Sequence, residues 1–406
     1  MLQPFSVLNR RARTAALAFA SALALVACGG GGGGGDDDDG GGGGGEQRAG
    51  VYASGRVEGY GSVVVNGVHY DHASATVRDE DGNTVNSAYL RLGTVVDVVG
   101  GPISVDASGV PRSTASELRF ASQIRGPVTA LGADSMTVLG QTVSLSAITV
   151  FEGFTGGRAG LDVGDLVEVS GFLDAGTGAY AASRVEFEDH LNGYRLQGRV
   201  ANLNTGAQTF TIGGATISYA AVASGDRPPL ENGLLVRALL QTTQQSGAWV
   251  ATELRDSRRE VEDVEAAEVE GYVSGFASLA EFQVDGLPVD ASGAGVDFED
   301  GSSAGVVDGV RVEVEGEILD GVLVARKVEF EDDDDDEDKF EVSGLIESIN
   351  LLAQTFVVQG VTVEFAGATL EGGTLLNLQT GARVEVEGGL TDSGAQLDAS
   401  VIRFDD

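Results

Sequence analysis

Few residues in this chain are equipped for chemistry. It has one cysteine, Cys28, one tryptophan, Trp249, and three histidines, His69, His72 and His190. A cysteine thiol can accept an acyl chain, and a histidine cluster can hold a metal or move a proton. His69 and His72 are three apart on an expected strand, where residues at odd spacing face opposite sides. They are therefore read as surface or turn residues rather than a metal pair. His190 falls at a junction between Asp189 and Asn192 and is read as solvated. Serines are plentiful, but none is read as a strand-to-helix nucleophile elbow. The glutamates of the recurring Val-Glu-Val segments have the residue type of a glycosidase pair, but their outward phase favours a solubilising role. No residue set is read as catalytic, and the chain is expected not to be an enzyme. Trp249 is the best single candidate for anchoring a ligand. The block Asp332, Asp333, Asp334, Asp335 and Asp336 is expected to collect calcium loosely. It lacks the turning glycine and ligand register of a calcium loop, so affinity should be no tighter than about 10⁻⁴ to 10⁻³ M. No other cofactor is expected.

Cys28 has a telling context. Arg10, Arg11 and Arg13 precede an apolar run over residues 15–27, the layout of an export signal. The run is too short for a bilayer span, which takes about 20 apolar residues. Leu25-Val26-Ala27-Cys28 resembles the bacterial lipobox, whose cysteine is diacylated and becomes the mature N-terminus. Glycine rather than aspartate follows at position 29, and by the same resemblance the outer membrane is the expected destination. Residues 28–50 form a tether of glycine and aspartate that reaches roughly 25 Å as flexible coil.

Charge excludes some partners. Removing residues 1–27 leaves 22 basic and 62 acidic residues, a net charge of −40. Such a chain repels phosphate backbones, so nucleic acid is not an expected partner. Anionic headgroups repel it as well, so contact with the membrane has to come through lipid. Apolar residues make up 42% and aromatics only 6%, a balance that favours short valine-rich strands.

The elements that position these residues come from a repeat. A strand-opening glycine recurs at Gly55, Gly126, Gly198, Gly271 and Gly344, at intervals of 71, 72, 73 and 73 residues. Each is followed by an alternating strand and a turn glycine, as in Met136-Thr137-Val138-Leu139-Gly140 and Phe356-Val357-Val358-Gln359-Gly360. A second alternating strand follows a further glycine, as in Gly309 before Val312-Glu313-Val314. Each copy closes on a strand such as Val328-Glu329-Phe330, but the third ends on Leu254-Arg255-Asp256 and lacks the glycine after its second alternating strand.

The fold expected is all-β: five tandem small antiparallel barrels, OB-like, each of about 70 residues, since closure removes unpaired edges. A two-sheet sandwich is the alternative. The expected divisions are a signal at 1–27, the tether at 28–50, and copies at 51–122, 123–192, 193–259 (divergent), 268–331 and 341–406. Acidic linkers are expected at 260–267 and 332–340, with the copies strung as beads. Six tyrosines, Tyr60, Tyr70, Tyr89, Tyr180, Tyr194 and Tyr219, fall in the first three copies and offer a possible exposed aromatic face.

These motifs resemble a bacterial family of domains of unknown function, family 5666, found in tandem behind lipoprotein signals. The resemblance covers nearly all of residues 51–406 and is weakest in the third copy; it implies no catalytic residues. The function expected is a lipid-anchored envelope protein that displays its β-domains to bind a ligand or partner, such as an envelope glycan or surface protein, or as a spacer. The alternative is an array of carbohydrate-binding modules, with an envelope enzyme third.

Overall fold

The computed structural model describes residues 50–174, 176–259, 261–331 and 339–404. Cys28 and Asp332 through Asp336 lie outside these residues. The fold is all-β, with small barrels, and the helices among the described residues are short 3-10 turns. None is long and apolar enough to cross a membrane.

Each copy follows one plan, seen most plainly in the fifth. Its strands are Phe340–Asn350, Thr355–Val358, Val361–Glu364 continued by Thr369–Glu371, Arg383–Leu390 and Leu397–Phe404. The first strand pairs with the second, the second with the third, and the third runs parallel to the fifth. The fifth pairs with the fourth, which returns to the first and closes the barrel. Valine alternation drives this: Arg311–Leu319 of copy four buries Val312, Val314 and Ile318 while its glutamates face outward. The short 3-10 turn Leu375–Asn377 lies between the third and fourth strands.

Two glycine classes have steric causes. A Cβ on Gly171, Gly316 or Gly388 would collide with the carbonyl oxygen of Ala181, Val324 or Asp398 on the facing strand. Each of the three sits where the ladder register shifts, so the Val-Glu-Val-x-Gly motif encodes a β-bulge. The opening glycines instead admit the following hairpin: a Cβ on Gly126 would enter the Leu139 side chain, and one on Gly198 would enter Ile212.

The copies are not separate beads. Val51–Ser54 of copy one runs parallel to Ala266–Val269 of copy four, and Gly59–Tyr60 runs parallel to Glu341–Val342 of copy five. Copies two and three meet through Arg195 and Leu196 against Arg125 and Ile124. One apolar core spans copies two and three, and another spans copies one and five. Residues 264–267, expected as acidic linker, begin the strand Val264–Ser278. Their alternation of Val264, Ala267 and Val269 is what the edge of copy one pairs with.

Candidate functional site

A cleft of about 640 Å³ opens between copies one, three and four, with Gln123 of copy two also in its lining. Copy one supplies the loop from Arg78 to Gly82 and the end of its last strand, Glu117 to Phe120. Copy three supplies Arg237 and the segment Arg255 to Arg259; copy four adds Asp285. Copies two, four and five end on a phenylalanine packed over loop glycines, as Phe330 lies against Gly301 and Phe404 against Gly373. In copy three Asp256 stands in that place, so the strand end carries charge rather than an apolar cap.

The loop is set by Asp79. Its carboxylate accepts hydrogen bonds from the backbone amides of Asp81 and Asn83 at 2.9 and 2.8 Å and from the Asn83 side chain at 3.0 Å. Burial works to raise the Asp79 pKa, but these hydrogen bonds prevail and hold it below the usual carboxylate value. The loop then presents Glu80 to Arg195 and Asp81 to Arg237 Nη2, the latter at 2.8 Å. Burial raises the Glu80 pKa against the pull of Arg195. Opposite, Arg259 bridges three copies: it pairs with Asp97 of copy one at 3.4 Å and Asp285 of copy four at 2.5 Å, and donates to Ser54 Oγ at 2.6 Å. Burial pushes Asp285 up to about 6, outweighing the Arg259 charge. At the mouth, Arg78 Nε donates to Glu117 at 3.1 Å, and Glu117 also receives Arg119. Arg258 grips Asp256 through Nε and Nη2 at 3.0 and 2.6 Å.

Six arginines and seven carboxylates line this cleft, in a chain with 25 basic and 62 acidic residues. The lining is close to neutral within a strongly negative molecule. Such a surface can recognise a polar ligand through planar guanidinium donors and carboxylate acceptors.

A second cluster lies at the joint of copies one and four. Oxygens of Glu268, Glu313 and Glu315 lie within 4.8 Å of one another. Burial pushes Glu268 up to about 8, and burial with the Glu268 charge pushes Glu313 well above the usual range. Both carboxyls are thus biased toward the protonated form, by burial first and by the charge of neighbouring carboxylates. These three glutamates are the described residues with the geometry to hold a cation.

Trp249 is half-buried, edge-to-face with Tyr194 at 5.6 Å, and packs on the core of copies two and three, away from the cleft. Three of the six tyrosines, Tyr70, Tyr180 and Tyr219, are buried; Tyr89 is 62% exposed. The alternation that marks strands does not say which face of a tyrosine a neighbouring copy will cover. His69 is not a surface residue but lies in the joint with copy five, near Glu341 at 3.4 Å and Ser62 Oγ at 3.1 Å. Burial lowers its pKa. His190 is exposed beside Asn192. The sequence reading passed over a Gly-x-Ser-x-Gly spacing at Gly301-Ser302-Ser303-Ala304-Gly305; Ser303 is exposed on the turn Ser303–Gly305, and copy four has no histidine. The cleft arginines were missed as well. The signal available was the third copy's ending, where three of the chain's 25 basic residues, Arg255, Arg258 and Arg259, fall within five positions.

No curated protein matches the chain. A family model matches residues 125–186, 270–329 and 343–403, which fall in copies two, four and five. Copies one and three keep the same strand plan outside the match. The model of the domain of unknown function DUF5666 thus matches the chain in three copies.

Proposed function

We propose that this is a lipid-anchored envelope protein whose interlocked copies present one binding cleft and perform no covalent chemistry. The observation that carries the reading is the near-neutral cleft of about 640 Å³ walled by three copies, within the range of small-ligand sites. Each unit reads as an OB-like barrel: its third and fifth strands are parallel, and a short helical turn precedes the fourth. The interlock argues against an extended spacer, because parallel edges hold copy one to copies four and five. Anchoring rests on Cys28 and the export signal before it, and the glycine at position 29 favours the outer membrane.

Two measurements test this. Cys28→Ala should abolish partitioning into detergent; a variant that still partitions would remove the lipid anchor from the reading. A panel of envelope glycans, metabolites and surface proteins should then be offered to the lipidated chain in detergent, with hydrogen exchange as the readout. The expected result is a binder that protects residues 78–82 and 255–259. Binders that protect only other surfaces, or an empty panel, would overturn the cleft as the binding site.

A further inference from the structure

We infer that the ligand of the cleft is an acidic oligosaccharide: a hydroxyl-rich ring that carries carboxylate groups. The inference rests on the cleft reading above and adds the ligand's chemical class. Three features carry it, two in the lining and one, Tyr89, stacked against the lining residue Phe120.

The first is an aromatic plate. Phe120 lines the cleft, and Tyr89 stacks on it with ring centroids 6.2 Å apart and planes inclined by 14°. Tyr89 is 62% exposed, on a turn fixed by Asn86, whose side chain accepts from the Ala88 amide at 2.8 Å. A large aromatic held flat and wet offers an apolar face to the C–H side of a sugar ring, with its hydroxyl free for water or ligand.

The second is an available guanidinium. Arg119 engages Glu117 through Nε, and its side chain is 60% exposed. A guanidinium has five N–H donors in a planar fork, so the Nη edge remains for a carboxylate of the ligand.

The third is the pairing of charge. Asp81, Glu117 and Asp256 accept hydrogen bonds from their arginines and, with about four lone-pair sites on each carboxylate, can accept from sugar hydroxyls as well. A ligand of hydroxyls alone would make no ionic use of the Arg119 Nη edge, and a simple small anion would leave the aromatic plate unused. The lining is close to neutral, so an acidic ligand meets less repulsion there than the chain's net charge of −37 alone would impose.

The probe is trigalacturonate, titrated calorimetrically into the lipidated chain in detergent, with maltotriose and citrate as the neutral and non-sugar arms. Trigalacturonate should bind and should weaken with added salt. Arg119→Gln should weaken it roughly tenfold or more, the effect of one charge-assisted hydrogen bond. Tyr89→Ala should weaken it by about three- to tenfold, with the circular-dichroism spectrum and melting temperature unchanged. Equal binding of maltotriose would overturn the requirement for acid, and equal binding of citrate, insensitive to Tyr89→Ala, would overturn the requirement for a sugar. Absence of trigalacturonate binding would overturn the ligand class, while the cleft itself stands or falls on the hydrogen-exchange panel.

Discussion

The joint between copies two and three and the joints that hold copy one to copies four and five bind similar barrels by different means. Copies two and three are neighbours in the chain and share an apolar core; the bonds that stitch them are neutral. Gln141 Nε2 donates to the Ile212 carbonyl at 2.8 Å, and the Tyr180 hydroxyl donates to the Gln197 carbonyl. Copy one meets copy four through buried charge. Glu270, 4% exposed, accepts from the Arg56 amide at 3.3 Å and from Arg311 Nε at 3.2 Å, and Arg56 lies over the Phe340 ring of copy five at 5.7 Å. A neutral joint answers only to packing, whereas an ionic one also answers to protonation.

The largest expected effect lies in the ionic joint. Glu270→Gln removes the carboxylate that pairs with the buried Arg311 guanidinium and should cost about 3–5 kcal/mol in urea unfolding. A cost under 1 kcal/mol would show that the pair is solvated and that the joints do not differ in kind.

Next is pH. Glu268 and Glu341 have folded pKa values of about 8 and about 7 against 4.5 unperturbed, raised by burial first and by neighbouring carboxylates second. The folded state therefore holds protons that the unfolded chain releases. The stability these groups contribute is full below about 4.5 and is lost as pH rises through 7 to 8. Glu270 runs the other way. Burial would raise it, but Arg311 and Arg56 lower it, so its contribution is present above 4.5 and lost as pH falls through its folded value. The melting temperature should peak in mildly acidic solution and decline toward pH 9, and Glu313→Gln should flatten the alkaline decline. A melting temperature constant from pH 5 to 9 would remove this account.

The smallest effect belongs to the neutral joint. Gln141→Ala should cost about 1 kcal/mol, one net hydrogen bond, with the same pH profile as the parent chain. An altered profile would mean that the two joints communicate.

Much of each barrel was legible in the sequence, because valine alternation, hairpin turns and bulge glycines are set by contacts inside one copy. Gly316 is demanded by the Val324 carbonyl, and the facing strand that carries that carbonyl belongs to the same barrel. The interlock was not legible. Glu270 occupies the same outward phase as Glu315, and only the edge of copy one, far away in the chain, buries it. The acidic stretch 260–267 reads as linker because its four acids outnumber Val264 and Ala267, which pair in the strand. The cleft was partly legible in the charged ending of copy three, but the loop around Asp79 that faces it lies in another copy.

The placement of copy one between copies four and five also bears on how the chain reaches its native state. The Arg56 amide and the Glu270 carboxylate that it meets are 214 residues apart, and the edge at Gly59–Tyr60 waits for copy five. Copies two and three can dock as soon as both exist, but copy one keeps unpaired strand edges until the last copies arrive, and contacts of such separation form slowly. Through that interval the bare edge is a template for another chain. The self-repulsion of the acidic chain then acts as a guard against aggregation during assembly, and a chain cut short before copy four should precipitate although its finished barrels are sound.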